Sequence, residues 1–189
     1  MLDNNWIIGG GKKREERKPM DFYPTPAVVT EILIEFLRKV GMLPDGCTVW
    51  ECACGDGAMC EVLWDYGYSV IGTDIRTDCY GIGGIDFINT NARNVCDWII
   101  TNPPFNVSEK FIRKCLTLNI PFALLLKSQY WHSMKRYDLF YERKPAYVLP
   151  LTFRPDFTGG GASLMDMHWN VWDVKDRDTI YLPMKKPRG

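Results

Sequence analysis

The 189-residue sequence predicts an α/β protein built on a doubly wound, mostly parallel sheet that ends in an antiparallel hairpin strand. Three observations predict it. Apolar runs of strand length alternate with segments of helical period from residue 26 onward. One junction, Glu51-Cys52-Ala53-Cys54-Gly55-Asp56-Gly57, is a glycine turn of the kind that lets a ligand approach the backbone closely. Polar residues stand where the expected strands end, at Glu51, Asp74, Asp86 and Asn102, so four groups would converge on one crevice at the carboxyl edge of the sheet.

Taken in order, Thr25 and Pro26 read as the N-cap and first residue of a helix. Val28, Val29, Ile32, Leu33, Phe36, Leu37 and Val40 then recur at helical spacing, and Gly41 closes the segment. Strands are expected near 48–52, 69–74, 84–87 and 97–101, with the apolar segment Met59 to Tyr66 entered from the glycine turn. A helix near 108–119 starts at Ser108, and the run Phe122-Ala123-Leu124-Leu125-Leu126 reads as a fully buried parallel strand. Residues 134–143 read as a helix, and 146–153 and 168–174 as two closing strands.

Two segments carry chemistry. Asn102-Pro103-Pro104-Phe105 directly follows the apolar run Trp98-Ile99-Ile100-Thr101. Prolines fix φ and lack an N–H, so this is a stiff ledge presenting a side-chain carbonyl, backbone carbonyls and a flat ring. Such a ledge suits a planar substrate with an NH2 group, the ring stacking on its plane while oxygens accept from the amine. The glycine turn has neither a Gly-x-Gly-x-x-Gly nor a Gly-Lys-Ser/Thr pattern, and its acidic residue would repel a pyrophosphate. A cationic cofactor fits better, and S-adenosylmethionine, which carries a sulfonium and an ammonium, meets that requirement. Asp74 ends the next strand about 20 residues on, where an acidic residue receives ribose hydroxyls in nucleotide-binding α/β folds.

These segments resemble the class I S-adenosylmethionine-dependent methyltransferases, and within them the phage-type DNA adenine-N6 group. The resemblance rests on Asp21-Phe22-Tyr23-Pro24-Thr25-Pro26, the glycine turn, Gly72-Thr73-Asp74, Asp86-Phe87 and Asn102-Pro103-Pro104-Phe105. The run Arg154-Pro155-Asp156-Phe157 followed by Trp169-Asn170-Val171-Trp172-Asp173 resembles the final hairpin of such enzymes, so the likeness covers about residues 20–183. It implies a Rossmann-like methyltransferase sheet and transfer to the N6 amine of a flipped adenine, with Asn102, Pro103, Pro104 and Phe105 as the catalytic ledge. It also implies cofactor contacts from Tyr23, Thr25, Pro26, Glu51, Ala53, Gly55, Gly57, Asp74, Ile75, Asp86, Phe87 and Asn102. Other readings stand beside these. Glu51 touches either the methionine moiety or the loop amides, Asp74 is otherwise a helix cap, and Asp86 is otherwise an ordinary turn carboxylate. Phe105 is otherwise a core aromatic, and Tyr23, Thr25 and Pro26 otherwise serve the helix start alone. RNA amines and a protein glutamine amide would fit the same ledge, and a non-catalytic nucleic-acid-binding module is the remaining alternative.

Composition bounds the rest. Hydrophobic content of 46% with 24% charged residues is ordinary for a water-soluble chain, and no apolar run reaches membrane-spanning length. With no signal-like N-terminus, a cytoplasmic protein is expected. Seven cysteines beside two histidines suggest free thiols, and Cys52 and Cys54 lack zinc-like spacing, so no metal is expected. Net charge is zero, yet Lys12-Lys13-Arg14 and Arg17-Lys18 crowd residues 1–19, and Lys185-Lys186 with Arg188 crowd residues 184–189. These basic ends are either solvated tails or phosphate-contacting arms for DNA, flanking one domain at 20–183 that has no room for a separate target-recognition domain. Lys127-Ser128-Gln129-Tyr130-Trp131-His132 with Lys135-Arg136, and the loop from Arg154 to Met167, are the candidate DNA-contacting segments. Gly159-Gly160-Gly161 reads as a hairpin tip.

Overall fold

The computed structural model describes residues 24–91, 93–157, 165–175 and 177–186. Tyr23, the basic arm at 12–18, Gly159-Gly160-Gly161 and Arg188 lie outside the described residues. Seven strands form one sheet: β1 (Thr48–Glu51), β2 (Ser69–Gly72), β3 (Trp98–Thr101), β4 (Phe122–Lys127), β5 (Tyr147–Pro150), β6 (Met167–Trp172) and β7 (Ile180–Tyr181). Their spatial order is β2-β1-β3-β4-β6-β5-β7. β2, β1, β3 and β4 pair in parallel, whereas β6 runs antiparallel to both β4 and β5, and β7 is parallel to β5. The doubly wound sheet with a reversed C-terminal strand is therefore the observed architecture.

Helices α1 (Ala27–Lys39) and α2 (Ala58–Asp65) cover one face, and α3 (Ser108–Leu118) with the short α4 (Tyr137–Glu142) covers the other. Strand periodicity explains the partition. Trp98 and Ile100 of β3, with Ala123 and Leu125 of β4, pack with α1 and α2. Ile99, Phe122, Leu124 and Leu126 point the opposite way and pack with Phe111, Ile112 and Leu139. Two buried faces require near-continuous apolar strands, which is why β3 and β4 show no alternation in sequence. Each fully buried Leu or Ile contributes about 1.5–3 kcal/mol. Tryptophans hold the layers in register through their indole N–H groups: Trp169 donates to the Val29 carbonyl at 2.8 Å, Trp98 to the Met42 carbonyl at 3.1 Å and Trp50 to the Thr73 hydroxyl at 2.9 Å.

Several boundaries differ from the sequence reading. No strand forms at 84–87. Instead Thr73 makes one bridge with Ile82, and residues 86–90 are a turn in which the Asn89 and Thr90 amides donate to the Asp86 carbonyl. The cause is the Gly81-Ile82-Gly83-Gly84 run. Gly84 has φ +76°, outside strand space, and Gly81 lies so close to the Gly72 carbonyl that a Cβ there would sit 2.1 Å from the oxygen. Thr25 does not cap α1. Pro26 occupies the cap position with ψ 137°, and no side chain bonds the helix start. Gly41 does terminate α1, at φ +70°, with Gly41 N–H donating to the Arg38 carbonyl and Met42 N–H to the Leu37 carbonyl. The helix expected at 134–143 divides into a 3-10 turn at Met134–Arg136 and the six-residue α4. β5 ends at Pro150, with a single further bridge from Leu151 to Met184, and the two-residue β7 stands where the sequence reading places no strand.

Candidate functional site

A cleft of about 280 Å³ opens at the carboxyl edge of β1, β2 and β3. Its wall brings together Thr25, Glu51, Ala53, Asp74, Ile75, Asp86 and Phe87 with all four residues of the Asn102–Phe105 ledge. Segments separated by up to eighty residues in sequence thus share one concavity, as strand-end placement requires.

The glycine turn presents oxygens to this cleft and consumes its own amides. The Ala53 N–H donates to Glu51 Oε1 at 3.0 Å and the Gly55 N–H to Asp74 Oδ2 at 2.9 Å. Cys54 N–H donates to the Thr73 carbonyl, Gly57 N–H to the Cys54 carbonyl, and Ala58 N–H to Asp56 Oδ1. A phosphate cradle needs those amides unpaired, so this turn is unsuited to a pyrophosphate. Gly57 (φ +88°) faces Tyr80 rather than the cleft, and a Cβ there would sit 2.2 Å from the Tyr80 ring. It serves the turn, as the N-cap of α2, and does not line the cavity.

Four carboxyl groups line the cleft: Glu51, Asp56, Asp74 and Asp86. The guanidinium among the described lining residues, Arg76, is ion-paired with Asp78 at 2.7 Å. Asp74 is buried and takes the Gly55 and Arg76 amides on separate oxygens, both at 2.9 Å. Each oxygen keeps a lone pair for a further donor. Asp86 accepts from the Ile88 amide at 3.0 Å and from Asn89 Nδ2 at 2.7 Å, so it shapes its own turn as well as lining the cleft. Glu51 is 2% exposed, and burial pushes its carboxyl up to about 8, even though the Thr101 hydroxyl and the Ala53 amide both donate to Oε1 and favour the ionised form. A hydrogen bond from the Cys60 thiol draws the Cys54 thiol below its ordinary value. Phe87 lies in the core, edge-on to Trp50 at 5.1 Å and tilted against Phe111 at 4.9 Å, with one border on the cleft.

At the ledge, Asn102 Nδ2 donates to Thr25 Oγ1 at 3.1 Å. This orients the amide and leaves Asn102 Oδ1 buried with no hydrogen-bond partner among the described residues. Val107 N–H donates to the Pro104 carbonyl at 3.0 Å, and the Ser108 hydroxyl reaches the Pro104 and Phe105 carbonyls at 3.2 and 3.3 Å. Those bonds fasten the outer half of the ledge to the start of α3. Among the described residues nothing donates to the Pro103 carbonyl. Lys127 Nζ, at the end of β4, lies 3.9 Å above the Phe105 ring centroid. Sequence reasoning missed the Thr101–Glu51 bond, and it named Lys127 as a DNA-contacting candidate without placing it over Phe105. The only signal was position, since Thr101 and Lys127 also stand at strand ends.

Solved structures match the chain over most of its length. A Pyrococcus horikoshii protein assigned as an RNA methyltransferase shares 15% identity at a TM-score of 0.66, over 84% of this chain and 91% of its own. A Listeria monocytogenes protein assigned as a class I S-adenosylmethionine-dependent methyltransferase matches at a TM-score of 0.65 and 11% identity, over 89% of this chain and 68% of its own. The architecture is the Rossmann-like methyltransferase fold. The modification subunit assigned to a type I restriction enzyme of Vibrio vulnificus has the same fold, with a TM-score of 0.61 and 15% identity, over 93% of this chain and 50% of the subunit. No family model matches the chain, and no curated protein does. By its assignment the Listeria neighbour uses S-adenosylmethionine. Among the described residues all seven cysteines are free thiols, no cluster of three or more His, Cys, Asp or Glu could hold a metal, and no helix is long and apolar enough to cross a membrane.

Proposed function

We propose that the protein transfers a methyl group from S-adenosylmethionine to the exocyclic N6 amine of adenine in DNA. The observation that carries the reading is Asn102 Oδ1, a buried acceptor without a partner, on a ledge whose two prolines offer no competing donor. An unsatisfied buried oxygen costs roughly 1–3 kcal/mol, which a substrate N–H would offset. The cofactor fits the donor set. Thr25, Glu51, Ala53, Asp74 and Asp86 would hold it, the carboxylates of Asp74 and Asp86 favouring a cation and Asp74 keeping lone pairs for ribose hydroxyls. Bound there, S-adenosylmethionine supplies an electrophilic methyl carbon on a sulfonium centre.

The chain's own residues act on the acceptor. The N6 lone pair of adenine is delocalised into the ring, so the amine is a poor nucleophile. Asn102 Oδ1 and the Pro103 carbonyl each accept one N6 hydrogen, draw the nitrogen toward tetrahedral geometry and offset the positive charge that grows on it. The prolines hold both oxygens still. Phe105 offers a face for the base, which must leave the stack to reach it.

The restriction-enzyme modification subunit among the fold neighbours supports a nucleic-acid acceptor, and the neighbour assigned as an RNA methyltransferase favours RNA as the second reading. Tritiated-methyl transfer to duplex DNA, RNA and a protein extract, followed by nucleoside digestion, separates these acceptors. The expected product is N6-methyladenine in DNA, lost in Asn102→Ala. Label confined to RNA or to protein overturns the DNA reading.

A further inference from the structure

We propose that the surface from Lys127 to Tyr141 is a second nucleic-acid site, a track that binds single-stranded bases and phosphates next to the nucleotide entering the cleft. The proposal rests on the nucleic-acid reading above.

The cleft itself requires such a site. Its wall carries the carboxylates Asp56, Asp74 and Asp86, which repel a phosphodiester backbone. The base can enter, but its phosphates need cations outside. Lys127 supplies the first one, since it sits on the Phe105 ring at the border of the cleft. The chain then runs through the 3-10 turns Ser128–Trp131 and Met134–Arg136 into α4. Arg136 is held with its guanidinium 4.1 Å over Tyr130 and its Nε 2.8 Å from the Tyr130 carbonyl, and Lys135 beside it is exposed.

Beyond these cations lies an aromatic platform. Tyr137 and Tyr141 are one helical turn apart on α4, and their rings stack at 5.5 Å with planes 17° apart. They are 58% and 74% exposed, with Met134 beside them at 89%. Two parallel rings held open to solvent present a flat face on which successive bases stack whatever their sequence. Their acidic neighbours, Asp138 and Glu142, follow each tyrosine by one residue and so lie about 100° around the helix, off the platform. Trp131 and Phe140, stacked at 4.1 Å, form the floor of the adjoining concavity, and Trp131 is tied to Asn170 of β6 at 3.1 Å. Cations interleaved with stacked rings, leading from the cleft border outward, match a polyanionic strand with exposed base faces.

Fluorescence anisotropy of the full chain with a labelled 20-nucleotide single strand tests the track. Tyr137→Ala/Tyr141→Ala should weaken binding about 10- to 100-fold, Tyr137→Phe/Tyr141→Phe should retain it, and S-adenosylhomocysteine binding by calorimetry should match the parent in both. Lys135→Ala should lower the slope of log affinity against log salt by about 1. Both tyrosines are exposed, so unchanged thermal melting is expected and checks the fold. If the alanine pair binds the strand as tightly as a parent that methylates it, the track is refuted and the transferase reading survives; the platform then belongs to a protein partner. If the parent neither binds nor methylates any nucleic acid, both fall.

Discussion

Replacing Glu51 by Gln should shift the stability difference in the variant's favour as pH rises from 5 to 8. Glu51 ends β1 at 2% exposure, and burial raises its carboxyl from an ordinary value of 4.5 to about 8. The folded state therefore holds a proton that the unfolded chain releases near pH 4.5. A group raised on folding contributes its full stabilisation below the unfolded value and loses it as pH climbs through the folded one. Each pH unit in between costs about 1.4 kcal/mol, so about 3 kcal/mol has gone by pH 7 and about 5 by pH 9. Glutamine keeps an oxygen for the Thr101 hydroxyl and the Ala53 amide but cannot ionise. Its new NH2 group adds an offset that does not vary with pH. Urea denaturation of both proteins at pH 5, 6, 7 and 8 should show the parent losing ground to Glu51→Gln by about 1.4 kcal/mol per unit. Parallel stability profiles across that range would refute the argument, because they would mean that Glu51 titrates alike in the folded and unfolded chains.

Three further outcomes are expected. Asp74→Ala removes the acceptor shared by the Gly55 and Arg76 amides and should weaken S-adenosylhomocysteine binding by roughly 1.5–3 kcal/mol in calorimetry; unaltered affinity would remove Asp74 from the cofactor site. Phe105→Ala should raise the Michaelis constant for an oligonucleotide by the equivalent of about 1–3 kcal/mol while sparing cofactor affinity, and an equal loss of both would assign the ring to the cofactor side. Gly57→Ala places a methyl group against the Tyr80 ring at φ +88° and should cost at least about 1–2 kcal/mol, read as a lowered denaturation midpoint. An unshifted midpoint would show that the turn relaxes freely.

What was legible in sequence followed from strong local signals. β1, β3, β4 and α3 stand close to where apolar runs and helical spacing predicted, and the polar residues at three strand ends reach one cleft. The failures share a cause, which is geometry set by residues distant in sequence. Asp86-Phe87 looked like the end of a strand, but Gly81 serves a close crossing over Gly72 and Gly83 one over Arg76 and Thr77, and those crossings exist only in the folded chain. Thr25 carries good capping chemistry, yet its hydroxyl is engaged by Asn102, 77 residues away. A propensity rule weighs Thr25 against its neighbours and never against Asn102. β7 is two residues long and pairs with β5 alone, so it left no periodic trace to read.

The position of β6 has a consequence for how the molecule is made. β6 lies between β4 and β5 in the sheet but follows both in the chain. During synthesis β4 and β5 therefore emerge with facing edges that cannot yet be joined, and they must wait for Met167–Trp172, which bridges them. Trp169 of that strand also donates to Val29, 140 residues earlier, so α1 receives its last anchor at the same moment. At 5–20 residues per second the wait lasts seconds, with two apolar strand edges exposed. Long-range closure of this kind slows folding and exposes the nascent chain to aggregation. A chain halted at residue 166 would lack the strand that joins β5 to the β2-β1-β3-β4 sheet, and premature termination should yield insoluble product rather than a shortened but folded protein.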